Sequence, residues 1–338
     1  MRYHGAGRGR GTLRPNREDI MKRRDLLKAA PVALLASGAA GLVPLKVRAA
    51  PGGAQVTAAQ RFRVGEMTVT ALSDGFIQFS PDAMIGIEAE DFLSLVEAAH
   101  QDPANVRGAV NAYMVESGGE TWMIDAGTGP IFGPTLGHMP EVFAALGTDL
   151  GSVSKLIVTH LHGDHIGGAT MDGKPVFPNA EMIVSEADRA FWTNDQIKAQ
   201  FPEQFRGMFD LAKATLAAYG DKLRVIEGEA DVAPGVTARP MPGHTVGHTG
   251  YMLESGSDSL LVWGDIIHVP AVQLARPEVT IMFDTDKEQA AATRADLMTA
   301  LAGSGQRIAG MHMLFPGVGY LDTLGDGYHF VPAPWDYL

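Results

Sequence analysis

The strongest chemical signal in the sequence is a group of four metal-binding side chains within six residues. Residues 159–168 read THLHGDHIGG directly after an apolar segment, so His160 and His162 can point to one side of the loop while Asp164 and His165 turn to another. A single tetrahedral catalytic zinc uses three protein ligands and keeps its fourth position open. Four ligands in one short loop therefore favour two adjacent cations over one.

Cysteine is absent from the 338 residues, whereas histidine occurs 11 times. A disulfide framework, a catalytic thiolate and a Cys-ligated zinc or iron–sulfur site are thereby excluded, so any metal must be held by His and carboxylates. The composition is 46% hydrophobic and 20% charged, with 40 glycines. These values are typical of a loop-rich globular protein and exclude a collagen-like, coiled-coil or largely disordered chain.

Two groups of short β-prone runs, with helical segments between and after them, predict the elements that position the histidine loop. The first group covers residues 62–64, 67–72, 111–116, 121–124, 155–159 and 181–184, and the second covers residues 224–226, 236–239, 250–253, 260–263 and 307–311. Periodic stretches from 185 to about 219 and over 287–301 predict helices. This order predicts an α/β fold of two packed mixed sheets flanked by helices.

Residues 1–50 are predicted to be a twin-arginine export signal with an N-terminal extension, and residues 51–338 to be one catalytic domain. Residues 22–28 (KRRDLLK) carry the twin arginines, an apolar stretch over 31–45 follows, and cleavage is expected near Ala49. An N-terminal membrane anchor or a basic tail is the alternative. Because the apolar stretch is shorter than the roughly 20 residues of a membrane span, we expect a periplasmic or secreted protein with no stable span after cleavage.

Charge is distributed unevenly along the chain. Residues 1–50 carry 11 Lys and Arg against three Asp and Glu, so residues 51–338 are left with a formal charge near −20 within the total of −12. Such a charge repels polyanions. Nucleic acid is therefore not an expected partner, in the absence of a basic stripe.

The HxHxDH motif at residues 160–165 resembles the signature of the metallo-β-lactamase superfamily, and the likeness covers nearly all of residues 60–335. It implies an αββα sandwich in which further ligands lie at downstream strand ends, where this chain has His244, Asp265 and His312 in the expected order. By resemblance, the chain binds two metals, and Asp265 is a ligand of both. The other ligands of the first metal are His160, His162 and His244, and those of the second are Asp164, His165 and His312.

Physical reasoning supports that arrangement independently. Two divalent ions about 3.5–4 Å apart repel each other, so a bridging carboxylate and a bridging hydroxide are needed between them, and Asp265 is the predicted carboxylate. The hydroxide is the predicted nucleophile, because zinc lowers the pKa of bound water to about 7, and Asp164 is predicted to orient it. We expect two divalent ions, with zinc ahead of manganese, iron or cobalt.

Weaker predictions concern the surroundings of these ligands. Asp125, in the stretch MIDAG, resembles the superfamily's first motif, in which an Asp supports a ligand His from behind; a simple turn residue is the alternative. His248 is interpreted as a supporting or structural residue, because a further ligand beside His244 would exceed the needed count. His268 is a candidate pocket residue, with a surface position as the alternative, and Asp74 is interpreted as a turn residue.

Absences narrow the resemblance within the superfamily. β-Lactamases usually replace the last signature residue and often use a Cys ligand, whereas this chain has His165 and no Cys. There is also no room for the added domains of glyoxalase II, RNA-processing or flavo-diiron members. The closer resemblance is to the methyl parathion hydrolase group with its lactonases and aryl esterases, and it is carried by residues 69–75 (VTALSDG), 132–137 (FGPTLG), 175–180 (PVFPNA), 263–269 (WGDIIHV) and 315–317 (FPG).

This resemblance implies a hydrolase of small neutral or aromatic substrates: a lactone or aryl ester in the first place, and organophosphate triesters as an overlapping capacity. In that group an aromatic cluster surrounds the leaving group, and the matching positions are Phe132, Trp192 and Phe209, for which core packing is the alternative. The resemblance also implies a homodimer. A dinuclear iron oxidoreductase on the same fold and a non-catalytic metal-binding protein are the alternative functions.

Overall fold

A computed structural model describes residue 56 and residues 58–334 of the chain. The predicted export signal lies outside the described residues. Among those that are described, no helix is both long and apolar enough to cross a membrane. Residues Gln55–Leu338 group as one unit, to which all of the elements below belong.

The described residues form strands and helices in a regular order. The strands are β1 (Ala59–Val64), β2 (Met67–Phe79), β3 (Met84–Ile85), β4 (Val106–Ser117), β5 (Glu120–Ile124), β6 (Val153–Ile157), β7 (Thr170–Met171), β8 (Lys174–Pro175), β9 (Glu181–Ser185), β10 (Leu223–Ile226), β11 (Ala230–Ala233), β12 (Val236–Pro240), β13 (Thr249–Ser255), β14 (Asp258–Val262), β15 (Thr280–Ile281), β16 (Arg307–Ala309), β17 (Val318–Leu324) and β18 (Gly327–Pro332). The α-helices are α1 (Ala89–Ala98), α2 (Met139–Leu146), α3 (Gly163–Ile166), α4 (Glu186–Trp192), α5 (Asp195–Gln200), α6 (Arg206–Tyr219), α7 (Pro270–Gln273) and α8 (Lys287–Leu301).

The first of two seven-stranded sheets carries the HxHxDH loop. Its order is β1-β2-β4-β5-β6-β9-β10, antiparallel from β1 to β5 and parallel from β5 to β10. Leu156 and Ile157 at the end of β6 are fully buried, so the strand delivers the loop into the interior. The loop thus leaves the carboxyl end of a parallel strand, which is where open α/β sheets bind ligands.

The second sheet supplies the remaining predicted ligands. Its order is β11-β12-β13-β14-β16-β17-β18, with β14 and β16 parallel and the other neighbours antiparallel. His244 lies between β12 and β13, Asp265 follows β14, and His312 follows β16. The ligands therefore leave the same edge of this sheet.

Three apolar layers hold the sandwich together. The inner faces of the sheets meet in one core, to which Trp122 contributes from the first sheet and Tyr251 from the second. Helices α2, α4 and α6 cover the outer face of the first sheet, and α8 covers that of the second with Met298 and Leu301. The predicted α/β architecture of two mixed sheets flanked by helices is confirmed.

Several elements differ from the sequence prediction. Helix α1 and the β17–β18 hairpin had no predicted counterpart. The helical stretch from 185 to 219 is divided into α4, α5 and α6, because the Asn194 side chain caps α5 and Pro202 follows it.

The interpretation of Asp74 as a turn residue is wrong. Asp74 lies in a bulge of β2 and is fully buried. Its carboxylate accepts hydrogen bonds from Thr128, through both backbone and hydroxyl, and from the amides of Gly137 and Met139. A buried carboxylate needs such donors, and here it fixes the loop that carries Phe132.

Candidate metal centre

Two separate clusters of potential ligand atoms lie side by side where the two sheets deliver their loops, and a third group, formed by His244, Asp265 and His268, overlaps both. Within each cluster the donor atoms lie within 4.8 Å of one another. The structure brings together all seven predicted ligands, namely His160, His162 and His244 in the first cluster and Asp164, His165, Asp265 and His312 in the second.

Asp265 lies between the two clusters. Its Oδ2 is 3.7 Å from Nε2 of His160 and 3.5 Å from Nε2 of His244 in the first cluster. The same oxygen is 3.2 Å from Nε2 of His165 and 3.0 Å from Nε2 of His312 in the second. One carboxylate thus faces both clusters, which is the position that a bridging ligand requires.

Unpaired polar atoms show that the donor set fits divalent cations. Nε2 of His160, Nε2 of His165 and Oδ1 of Asp265 are buried and have no hydrogen-bond partner among the described residues. Leaving such atoms unpaired costs about 1–3 kcal/mol each. Nδ1 of His162 and Nε2 of His244 point at each other at 2.9 Å. Imidazole and carboxylate donors that converge without protein partners are what a divalent metal site requires.

The charge states of four of the seven predicted ligands suit metal binding at neutral pH. Burial lowers the pKa of His160 and His162 well below the usual range, so both stay neutral. Burial alone would raise the pKa of Asp265, but His165 and His312 hold it well below its ordinary value. The pKa of Asp164 is lowered in the same way by the same two histidines. Neutral imidazole and ionised carboxylate are the forms that bind cations.

Asp125 lies behind the ligand His165. It follows β5 with a φ of 61°, and its carboxylate accepts hydrogen bonds from the backbone and hydroxyl of Thr159 and from Nδ1 of His165, the last at 2.7 Å. With Nδ1 held in this way, Nε2 of His165 faces the second cluster. A carboxylate behind a ligand histidine fixes both the orientation and the tautomer of the ring.

His248 lies outside both clusters and holds the backbone of Asp265. Its Nδ1 donates to the Met241 carbonyl, and its Nε2 accepts from the Asp265 amide at 2.9 Å. Burial lowers the pKa of His248 to about 3, so the ring is neutral and Nε2 can accept. Gly264 passes directly beside this ring, where a Cβ would come within 2.4 Å of Nε2.

Two buried carboxylates that the sequence analysis did not single out support the ligands. Asp284 accepts a hydrogen bond from Nδ1 of His244 at 2.7 Å. Asp188 accepts from the amides of Leu161 and Gly247, and so joins the HxHxDH loop to the turn that carries His244. Neither residue belongs to a recognisable motif, and the ligand-bearing segments that they contact are distant in the chain, so no local signal could have identified them.

A cavity of about 400 Å³ opens onto the two clusters. Phe132 lines it and is 49% exposed. His268 also lines it and is buried, with Nε2 3.3 Å from Oδ2 of Asp265 and its ring stacked on His312. The other apolar walls are formed by Ile77, Phe79, Leu136, Met208 and Phe283. This cavity can hold an uncharged, partly aromatic molecule beside the ligands.

A second cavity of about 260 Å³ adjoins the first and shares His162, Met208 and Phe283 with it. Trp192 lines this second cavity rather than the first, and its buried ring lies 5.2 Å from the ring of His162. The metal centre is therefore bordered by two apolar spaces.

The prediction that Phe209 lines the substrate pocket is wrong. Its side chain is fully buried, lines neither of the two cavities, and packs against Trp192 and Phe201 in the core beneath the helices. The reason is its helical position, because Phe209, Ala212 and Leu216 share the face of α6 that is turned to the first sheet.

Comparisons with known proteins agree with this geometry. Residues 105–302 match the family model for the metallo-β-lactamase superfamily. The crystal structure of the hydrolase AbOPH in the β-lactamase superfamily is similar to this chain, with 30% identity and a TM-score of 0.79 over 84% of this chain and 100% of that one. The chain belongs to the metallo-β-lactamase superfamily. Its predicted family is therefore confirmed, and it stands among the metal-dependent hydrolases of that superfamily.

Other superfamily members are similar over different extents. The structure of AidC, a dizinc quorum-quenching lactonase in complex with a product, shares the fold, with 23% identity and a TM-score of 0.78 over 83% of this chain and 99% of that one. An N-acyl homoserine lactonase of Bacillus cereus is 30% identical over 107 residues, which are 32% of this chain and 35% of that protein. The match thus spans about a third of the curated relative.

Proposed function

We propose that this superfamily member is a dinuclear metal hydrolase that opens lactones or cleaves aryl esters, with turnover of organophosphate triesters as an overlapping capacity. The observation that carries the proposal is the pair of ligand clusters that Asp265 faces and that open onto an apolar cavity. The local similarity to an N-acyl homoserine lactonase supports lactone chemistry.

The seven ligands would hold two divalent cations, zinc in the first place. When bound, the cations would supply Lewis acidity and activate water at neutral pH. The three histidines of the first cluster would bind one cation, the Asp164, His165 and His312 side chains the other, and Asp265 both. The absence of Cys among the ligands leaves His and carboxylate donors, which suit several divalent metals.

Asp164 is the residue that we assign to the orientation of the attacking water. It is the ligand with the most accessible side chain, 14% exposed, and it lines the first cavity. Its Oδ2 lies 3.3 Å from Nε2 of His312, and its lowered pKa keeps the carboxylate ionised. An ionised carboxylate at the cavity wall can accept a hydrogen bond from the water and hold its lone pair toward the substrate.

The two cavities would receive the two halves of the substrate. The first exposes the ligands along an apolar wall that includes Phe132, and the second is lined by aromatic rings that include Trp192. Such walls favour neutral or aromatic groups. The net negative charge of residues 51–338 also disfavours anionic phosphodiesters.

The test is kcat/KM of metal-loaded protein starting at Ala50 on an aryl lactone and on a dialkyl aryl phosphotriester. Asp265→Ala, which removes the carboxylate that faces both clusters, is the inactive control. Preference for the lactone supports the proposed function. Preference for the phosphotriester would make organophosphate hydrolysis the main activity, and failure on both with two metals bound would overturn the proposal in favour of the dinuclear iron oxidoreductase.

We also propose that the protein is exported as a periplasmic or secreted homodimer. The twin arginines of residues 22–28 support the export, and the resemblance to the methyl parathion hydrolase group supports the dimer. Fractionation of cells that express the full chain, with Arg23→Lys and Arg24→Lys together as the control, tests the route. Sedimentation of the mature protein tests the assembly, and a monomer at micromolar concentration would contradict it.

A further inference from the structure

Asp284 forms a buried contact that connects a predicted metal ligand with the substrate cavities. It lies between β15 and α8, and its side chain is completely buried. Its Oδ1 accepts a hydrogen bond from Nδ1 of His244 at 2.7 Å, and its Oδ2 accepts one from the Ile281 amide at 3.0 Å. Both carboxylate oxygens are thus used, and Nε2 of His244 is left to face the ligand clusters.

The backbone that follows Asp284 is bound to the same turn. The Thr285 amide donates to the His244 carbonyl at 2.9 Å, and the Asp286 amide donates to the Gly243 carbonyl at 3.0 Å. Gly243 has a φ of 130°, and a Cβ there would lie 2.3 Å from the Ala290 nitrogen of α8. These two hydrogen bonds and the close packing of α8 join the segment 284–286 to the turn that carries His244.

The same segment also forms the cavity walls. Phe283 directly precedes Asp284 and lines both cavities, and Met282 lines the second. On its other side the segment is fixed by the pairing of β15 with β3 and by a hydrogen bond from the Met282 amide to the Ala83 carbonyl. The buried carboxylate of Asp284 therefore lies between the predicted ligand His244 and the residues that line the two cavities.

We propose that Asp284 is a positioning residue: it orients the His244 imidazole for metal binding and fixes Phe283 against the substrate. The part that concerns the substrate rests on the proposed function, whereas the part that concerns the metal does not. A hydrogen-bonded carboxylate behind a ligand histidine typically contributes 10–100-fold to metal affinity or activity.

Asp284→Asn is the decisive variant. An amide can accept from Nδ1 of His244 only if its NH₂ group faces the Ile281 amide, and two donors then oppose each other. We expect the affinity for Zn²⁺, measured by competition with a chromogenic chelator, to fall about 10–100-fold. Asp284→Glu keeps both acceptor oxygens and should recover part of that loss.

Two controls separate the contributions. The Asp286 side chain accepts from the Gln289 amide at the start of α8 and belongs to the same segment, so Asp286→Asn should leave Zn²⁺ affinity within threefold of that of the unaltered protein. Phe283→Leu removes a cavity wall without altering a contact of His244, so it should raise KM for the aryl lactone and leave Zn²⁺ affinity unchanged.

The outcomes distinguish this inference from the proposed function. Zn²⁺ affinity of Asp284→Asn within threefold of that of the unaltered protein would overturn the positioning role, even if the variant melted at a lower temperature. An equal loss of affinity in Asp286→Asn would likewise overturn it, because the effect would then be a general loosening of the segment. If the unaltered protein bound Zn²⁺ but cleaved neither test substrate, the proposed function would be wrong. The Zn²⁺ affinity of Asp284→Asn would still test the positioning role of Asp284.

Discussion

Asp188 should be one of the most sensitive positions of the fold, although its carboxylate belongs to neither ligand cluster. The carboxylate is buried and accepts three hydrogen bonds: from the Leu161 amide at 3.0 Å, the Thr245 hydroxyl at 3.0 Å and the Gly247 amide at 2.7 Å. Leu161 lies between two ligands of the first cluster, and Thr245 follows the third. Asp188→Ala would therefore remove the hydrogen bonds that hold together the two loops that form this cluster.

The magnitude follows from the groups left without partners. Two backbone amides and one hydroxyl would lose their acceptor, at about 1–3 kcal/mol for each buried donor. The change also relieves the cost of burying a carboxylate, which raises the pKa of Asp188 in the folded protein, so the losses do not simply add. We therefore expect a loss of folding free energy of about 3–5 kcal/mol, at the lower end of the sum for three unpaired donors. At roughly 2–4 °C per kcal/mol, Tm should fall by about 6–20 °C.

The assay is urea and thermal unfolding of the metal-loaded protein, with free Zn²⁺ held at a fixed excess. Asp188→Asn retains one acceptor oxygen and should fall between the Ala variant and the unaltered protein. Asp322→Ala, at an exposed position of β17, should change the unfolding free energy by less than about 0.5 kcal/mol. If Asp188→Ala unfolded within 1 kcal/mol of the unaltered protein, the reasoning would be refuted, since the three donors would then have found other partners.

Three further predictions follow from the site and its surroundings. Burial alone would lower the pKa of His165 and His312, but the surrounding carboxylates raise it, to about 10 for His312, so both are protonated in the metal-free protein at neutral pH. Since metal binding must displace these protons, metal affinity should weaken about tenfold per displaced proton for each unit that the pH falls. Calorimetry in two buffers of different ionisation enthalpy measures the number of protons released. A metal affinity that does not change between pH 6 and 8 would contradict this prediction. Phe209→Ala should lower the unfolding free energy by about 3–5 kcal/mol with little change in KM, whereas Phe132→Ala should raise KM with little change in stability. Denaturation and steady-state kinetics on the same preparations test both expectations. The reverse pattern would show that Phe209, and not Phe132, lines the substrate pocket. Gly264→Ala adds a methyl group against His248 at a φ of 61° and should break the hydrogen bond that holds the Asp265 backbone. Competition with a chelator should then show at least a tenfold loss of Zn²⁺ affinity. The control is Gly118→Ala, at a φ of 59° with open space around it, and an equal loss of affinity in both variants would show that only backbone strain matters.

The ligand set could be found from the sequence because the chain carries it on short, recognisable turns at strand ends. His160 and His162 follow a buried strand within one motif, and His244, Asp265 and His312 each follow a strand of the second sheet. Strand ends at one edge of a sandwich converge whatever the detailed register of the sheets. The HxHxDH loop could therefore be identified from residue types and spacing, whereas the assignment of His244, Asp265 and His312 also needed the resemblance to the superfamily.

The supporting carboxylates could not be found in this way, because what defines them is the set of donors around them. Asp188 lies in the first turn of α4, and Asp284 precedes the start of α8, so each stands where an acidic residue usually faces solvent. Apart from the Ile281 amide beside Asp284, their donors come from turns distant in the chain, and only the packed fold removes the carboxylates from water.

Aromatic residues near the site are ambiguous for a related reason. Phe209 and Met208 are adjacent in α6, yet Met208 lines both cavities and Phe209 faces the core. Successive residues of a helix point about 100° apart, so a one-residue difference decides between a cavity wall and the interior. Helical periodicity can identify the buried face of α6, but it cannot tell which residues of that face contact the core and which line a cavity. That boundary depends on the position of the segment around Phe283. Since that segment is held by Asp284, the shape of the substrate site depends on the same buried contact that orients His244.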